Sequence, residues 1–186
     1  PPSTVWAAPA IRWVQENEPE VYAATDVIVT TQEYFLRELG AHDGWFQDFS
    51  NGSVFGLMNI ETFDWDDDLL EAFDISRDKL PALVPSGVQV GTIDANAAHR
   101  TGLREGTPLC TGGGDQQCAA IGAGVIREGL AEVTLGTAGV SIAHLDAPRY
   151  DPHQRISCSA SAAAGERNWI SEGLQAAAAS SYRWFR

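Results

Sequence analysis

Apolar residues recur at helical spacing at Ile11 and Val14, then at Tyr34, Phe35 and Leu39, and Pro19 stands between the two groups as a break. This opening segment therefore predicts two helices joined by irregular chain. The stretch HDGWFQDFSNGSVFGLMNIETFDW mixes aromatics with Asp, Asn and Gly, which suits short strands and turns better than a helix. A helix follows in DWDDDLLEAFD, with Asp64 or Trp65 near its cap, acids in its first turn and Leu69, Leu70 and Phe73 as its apolar stripe. VQVGTI and TPLCTG read as strands flanking a small-residue helix in DANAAHRTGL. A second helix is predicted from Gln116 to about Ile126.

Beyond it, AEVTL, GTAG and VSIAHL form a strand, a Gly-flanked turn and a strand. RISCSASAAAGERNWISEG repeats that pattern with a longer turn at residues 165 to 168, and a terminal helix begins after it. Helices alternate with strands throughout, which predicts a mixed α/β architecture. Gly129 is the expected joint between two lobes.

Composition narrows the functions available. The 186 residues are 44% hydrophobic, enough for a real core, and carry a net charge of −13. Such acidity opposes nucleic acid and anionic membrane surfaces, both of which reward clustered Lys and Arg. No apolar run approaches the roughly 18 to 20 residues that span a bilayer. A soluble, cytoplasmic protein is expected. Three cysteines without CxxC spacing (Cys110, Cys118, Cys158) encode neither a disulfide framework nor a zinc site, and read as small core residues. His42, His99, His144 and His153 share no ligand spacing and are expected on the surface or in loops. Most of the six tryptophans read as core, with one or two available for an interface. DWDDD is no calcium loop, because a loop starting at Asp64 would need Gly where Leu69 stands and Glu where Ile75 stands.

The segment GGGDQQCAAIGAG, residues 112 to 124, carries the candidate chemistry. A Walker A loop needs a lysine after its last glycine, and the chain's one lysine, Lys79, lies far away. A dinucleotide fingerprint started at Gly112 puts Gln117 at its third glycine, and one started at Gly122 puts Arg127 there. GxSxG and HExxH are absent. What remains is position: a strand runs into glycines expected to turn tightly, a helix leaves, and Asp115 sits at the junction. Two readings of Asp115 stand open, an N-cap of that helix or a carboxylate presented to a ligand at the end of a strand. The turn Gly136-Thr137-Ala138-Gly139 offers backbone N–H groups and a hydroxyl that can hold phosphate without a lysine, or is an ordinary hairpin.

With these blocks in view, GTPLCTGGGDQQCAAIGAG followed by LGTAG resembles the catalytic core of the FGGY carbohydrate kinases, the group of xylulokinase and glycerol kinase. SNGSVFGLMNIETFDWDDDLLEAFDISRDKLPALVPSGVQVGTI, WVQENEPEVY and SEGLQAAAASSYRWF are similar to further family segments, so the resemblance covers nearly the whole chain. It implies an actin-like, ribonuclease-H-like fold of two lobes, present in part: residues 1–128 as the end of the sugar-binding lobe and 129–186 as the start of the nucleotide-binding lobe. It implies ATP and Mg²⁺ as cofactors and a sugar or polyol as substrate, with homo-oligomerisation left open. Asp115 would be the general base, Gln116 and Phe49 would meet the acceptor, and Gly136 and Thr137 would meet the nucleotide phosphates, with no protein metal ligand assigned.

Departures from the family pattern refine the expectation. Phe49 stands where glycerol kinases have a substrate-touching tyrosine, and Val140 where they have phenylalanine, which favours a ketopentose such as xylulose. Gln32 and Glu33 replace usual aspartates, and Leu39-Gly40 replaces Leu-Thr-Gly, changes read as lying on a supporting helix. The family's D-x-G-T phosphate loop and adenine segment are not in these residues, so the chain is expected to be a piece that alone turns over no ATP. The alternatives are a non-catalytic actin-like module, an actin-like ATPase without a small acceptor, or a kinase of another polyol such as glycerol or erythritol.

Overall fold

The computed structural model describes residues 6–163 and 167–186 and is a mixed α/β assembly. The chain opens with α1 (Ala7–Asn17), α2 (Pro19–Ala24) and α3 (Thr31–Leu39). Pro19 sits in the first turn of α2, where its missing N–H costs nothing, so a short third helix forms in the stretch expected to be irregular chain. Helix α3 starts in a capping box: the Thr30 hydroxyl oxygen accepts from Gln32 N–H while Glu33 accepts from Thr30 N–H at 2.6 Å. That box turns Glu33 inward, to 1% exposure, and leaves Tyr34 and Phe35 facing out at 53% and 61%. The helical spacing of those aromatics was a true signal of helix and a false one of burial.

Then come β1 (Phe46–Asp48), α4 (Phe49–Ser53), β2 (Met58–Asn59), β3 (Asp64–Trp65) and α5 (Asp67–Phe73). Helix α4 falls in a stretch expected to be strands and turns. It forms because the side chain of Asp48 caps it, accepting from the N–H groups of Ser50 and Asn51. The cap of α5 is Asp66, one position beyond the expected one, and accepts from Leu69 N–H. Of its expected stripe, Leu70 is buried, Phe73 packs at the core edge and Leu69 faces out. β4 (Ala82–Val84) pairs in parallel with β1. β5 (Gln89–Thr92) and β6 (Pro108–Cys110), the two strands expected around α6 (Ala95–Thr101), pair antiparallel.

After β6, α7 (Asp115–Gly122) ends four residues sooner than expected, where Gly124 takes a left-handed φ of 84°. β7 (Ala131–Leu135), β8 (Gly139–Leu145), β9 (Ser157–Ala160) and β10 (Trp169–Gln175) make one antiparallel sheet in the order β7-β8-β10-β9, and α8 (Ala179–Phe185) follows. Both expected hairpins are present. Of the turn expected at 165 to 168, positions 165 and 166 lie outside the described residues. No described helix is long and apolar enough to cross a membrane.

Three apolar clusters hold these elements. Ile11, Phe55, Leu57, Phe63, Trp65 and Leu80 form the first with Ala160 of β9, and Trp169 packs against it. Ala120 and Val125 pack on Val140, Ile142 and Ile170 in the second. Ala41, Ile93, Ala97 and Leu109 form the third. Trp65 is core as expected, but Trp13 and Trp184 are exposed at 57% and 87%. Cys110 and Cys118 are exposed rather than core, and all three cysteines are free thiols. His144 reverses its expectation, being 3% exposed on β8 with the other residues of the sheet's packed face.

A seam ties the terminal sheet to the first cluster. Trp169 donates its indole N–H to the carbonyl of Ile60 at 2.7 Å, and its ring meets Phe63 edge-on at 5.4 Å. Tyr150 donates to Glu61 at 2.8 Å. Burial first, and then that bond to Glu61, push the Tyr150 phenol up to about 12. Because the folded value lies above the ordinary one, this contact stabilises the fold fully below about pH 10 and is lost as pH rises through about 12. Ultraviolet titration of phenolate is expected to show one tyrosine of the four titrating near 12. In Glu61→Gln its midpoint should fall towards 10; an unchanged midpoint would refute the role of the contact.

Candidate active site

The site is built from a buried carboxylate outward. Asp48 is 0% exposed and accepts from six donors: the N–H and hydroxyl of Ser50, the N–H and side-chain amide of Asn51, Ser86 Oγ at 3.2 Å and Gln32 Nε2 at 3.0 Å. Two of these donors reach on to the glycine loop. Ser50 Oγ accepts from Gly114 N–H at 2.9 Å, and Gln32 Oε1 accepts from Gly112 N–H at 3.2 Å. Thr111, at the end of β6, is held by its hydroxyl on the Pro85 carbonyl at 2.9 Å. The loop that carries Asp115 is therefore fixed by the side chains of Gln32 and Ser50 and by the backbone carbonyl of Pro85.

The glycines serve close approach rather than a left-handed turn, for none of Gly112, Gly113 and Gly114 has a positive φ. A Cβ on Gly113 would lie 2.5 Å from Ala162 Cβ and 3.1 Å from both Ser50 Oγ and Cys118 Sγ. The expected tight turn is thus a packed contact between the loop, α4 and the strand end after β9.

Asp115 occupies the first position of α7, and Gly114 is the cap residue, with no side chain capping the helix. Among the described residues, the carboxylate of Asp115 accepts only from the neighbouring N–H of Gln116, at 2.8 Å. This removes the N-cap reading. The free carboxylate opens on a cleft of about 390 Å³ shared with Gln116, Gln117, Gln32, Asn51, Val54, Thr30 and Thr31, and with Glu172 from β10. No Lys, Arg or His lines it among the described residues.

The expected site residues divide. Asp115 and Gln116 are brought together in the cleft. Phe49 is not on the lining: its ring is stacked edge-on against Phe63 at 4.8 Å at the margin of the first cluster. Gly136 and Thr137 also lie off the lining, in the β7–β8 turn. There the N–H of Gly136 is already given to the Ala138 carbonyl at 2.8 Å, and the Gly136 and Thr137 carbonyls accept from the start of α8. Gln32 does act from a supporting helix, as expected.

Glu172 and Gln117 were missed. Ile170, Glu172 and Leu174 alternate along one face of β10, the face whose Ile170 packs with Val140 and Ile142 against α7. An acid in an otherwise apolar row was the available signal. Burial first, and the nearby Asp115 charge second, raise the Glu172 carboxyl above its ordinary value.

Comparison with known proteins identifies the family. The profile for the FGGY family of carbohydrate kinases, N-terminal domain, matches residues 2–122. The chain belongs to the FGGY family of carbohydrate kinases. It is 34% identical over 136 residues to the xylulose kinase of Lactococcus lactis, covering 73% of this chain and 27% of that protein. It is 29% identical over 176 residues to the gluconokinase of Bacillus licheniformis, covering 95% of the chain and 33% of that protein. The crystal structure of xylulose kinase from Rhodospirillum rubrum superposes with a TM-score of 0.88 at 24% identity, covering 98% of the chain and 36% of that structure. The FGGY chain thus spans about a third of the length of the relatives it matches.

Two outcomes test this construction. Gly113→Ala in the FGGY chain should cost about 1–3 kcal/mol by overpacking, read as a lower denaturation midpoint, because Ala162 offers no flexible end to move aside. Glu172→Gln should act in the opposite direction. A carboxyl whose folded pKa is raised contributes stability below its ordinary value of about 4.3 and loses it as pH rises through the raised value. The amide should therefore raise the melting temperature near neutral pH and lose that advantage below about pH 4. A gain that is independent of pH would contradict the assignment.

Proposed function

We propose that this chain is the acceptor-activating part of an ATP-dependent carbohydrate kinase in which Asp115 is the general base. The observation that carries the reading is the carboxylate of Asp115: it stands at the head of α7 with no capping role, faces the cleft, and is positioned by a loop anchored to Asp48. Phosphoryl transfer asks a protein mainly for positioning and charge stabilisation, with one carboxylate orienting the attacking hydroxyl. Asp115 would take the proton of that hydroxyl as its oxygen attacks the γ-phosphate. Gln116, whose Oε1 is buried without a partner, would accept a hydrogen bond from the same acceptor.

ATP is the phosphoryl donor of carbohydrate kinases, typically with Mg²⁺. Among the described residues no three His, Cys, Asp or Glu side chains come together as a metal site, and the cleft has no cation of its own. Mg²⁺ would accordingly enter on the nucleotide, as part of the MgATP substrate, and supply positive charge at the phosphates. Gly136 and Thr137 remain assigned to those phosphates on the family resemblance, with the Thr137 hydroxyl as the group available. The lobe division at 128/129 is read in the same way, with Gly129, at a left-handed φ of 87°, as the proposed joint.

For the acceptor we favour a ketopentose such as xylulose. Phe49, packed on Phe63, no longer bears on that choice, which rests on the likeness to xylulose kinases. In the full-length parent, Asp115→Asn should lower kcat by roughly 10²- to 10⁴-fold in an assay of ADP release with a panel of pentuloses and polyols. Near-normal turnover would remove Asp115 from the mechanism.

A further inference from the structure

One wall of the cleft is unaccounted for by the base and its neighbour. The Glu172 carboxylate is half-buried, yet it has no hydrogen-bond or ion-pair partner among the described residues. Gln117 is 5% exposed and lines the same cleft, and its amide also lacks a partner there. Its Oε1 is folded against Gly114, where a Cβ would lie 2.2 Å from it. Leaving such groups buried or half-buried and unpaired is costly, and a ligand that pairs them removes that cost. The groups in need are two carboxylates and two amides, and the wall between them holds no cation. Hydroxyl groups satisfy all four, since each both donates and accepts. A second anion satisfies none of the carboxylates and adds its own desolvation cost.

We propose that Glu172 and Gln117 bind a second hydroxyl of the acceptor, opposite the one Asp115 activates, and that the cleft thereby selects neutral polyhydroxy acceptors over aldonates. The inference rests on the reading that the acceptor occupies this cleft. It deepens that reading by giving the terminal sheet a part in acceptor recognition and by excluding an acidic sugar, although a gluconokinase is among the relatives.

The test uses the full-length parent with ¹³C-labelled Asp and Glu carboxyls and Gln amides, assigned with Asp115→Asn, Glu172→Gln and Gln117→Ala. Xylulose, xylitol and gluconate are titrated in turn. Xylulose or xylitol should shift the Asp115, Gln117 and Glu172 signals together. Glu172→Gln should weaken that binding about 10- to 100-fold, the range for losing a hydrogen bond to a charged group, while its melting temperature shows that it is folded. Gluconate should bind at least about tenfold more weakly than xylulose and recover in Glu172→Gln. Asp115 shifting while Glu172 and Gln117 stay still would overturn this inference alone. Gluconate binding as well as xylulose would do the same. No shift at any of the three residues with any acceptor would overturn the cleft reading and this inference with it.

Discussion

The burial of one carboxylate, Asp48, is the constraint from which the site follows. Removing a carboxylate from water is expensive, and the cost is met only when donors surround it. Here the donors come from Gln32 on α3, Ser50 and Asn51 on α4, and Ser86 before β5. Satisfying Asp48 therefore fixes the relative placement of elements far apart in sequence. Because Ser50 and Gln32 each use a remaining atom on a glycine-loop N–H, the same network sets where Asp115 emerges. The pair of links acts as a relay of position.

The loop answers this network by being small. Three glycines let the backbone lie against Gln32, Ser50 and Ala162 at distances no side chain would permit. Packing of α7 through Ala120 and Val125 onto β8 and β10 then places the helix start beside Glu172. Two cores thus meet at the cleft: the first through α4, the second through the sheet. The seam at Trp169, Tyr150 and Ala160 keeps them in register.

Much of this was legible in the residues. Caps written as Asp-x-x and Thr-x-x-Glu announce themselves within four positions, and alternation along β7, β8 and β10 reports a sheet with one packed face. Burial was less legible, because a short amphipathic helix such as α3 can turn its aromatics out when a capping glutamate claims the inside. Helix α4 was hidden for a related reason: five residues are too few for periodicity, and it exists because of the Asp48 cap and its tertiary donors. Phe49 looked like a ligand contact by position in the sequence, and only three-dimensional packing shows its ring spent on Phe63. Glu172 and Gln117 could not be joined to Asp115 from spacing, since the approach of β10 to the head of α7 is a property of the second core.

Several local rules are broken around the cleft. Asp48, Asp66 and Asp94 stand at the cap positions of their helices and accept from first-turn N–H groups, whereas Glu18 at the head of α2 makes no such bond. Asp115 stands one position past the cap, which Gly114 holds with its N–H tied back to Ser50. Across the cleft, Glu172 stands half-buried and unpaired in a row otherwise apolar, and beside them Gln117 is buried with an idle amide. Each departure by itself reduces stability, and a sequence selected for stability alone would replace each with a cap, a leucine or a paired group. Buried polar atoms without a partner occur elsewhere too, at Gln47 and His144, but only here do a free carboxylate, a half-buried acid and two amides face one cavity among the described residues, and that juxtaposition supports a ligand there. With no Lys, Arg or His on its lining among the described residues, the cleft suits a partner rich in hydroxyl groups better than a second anion.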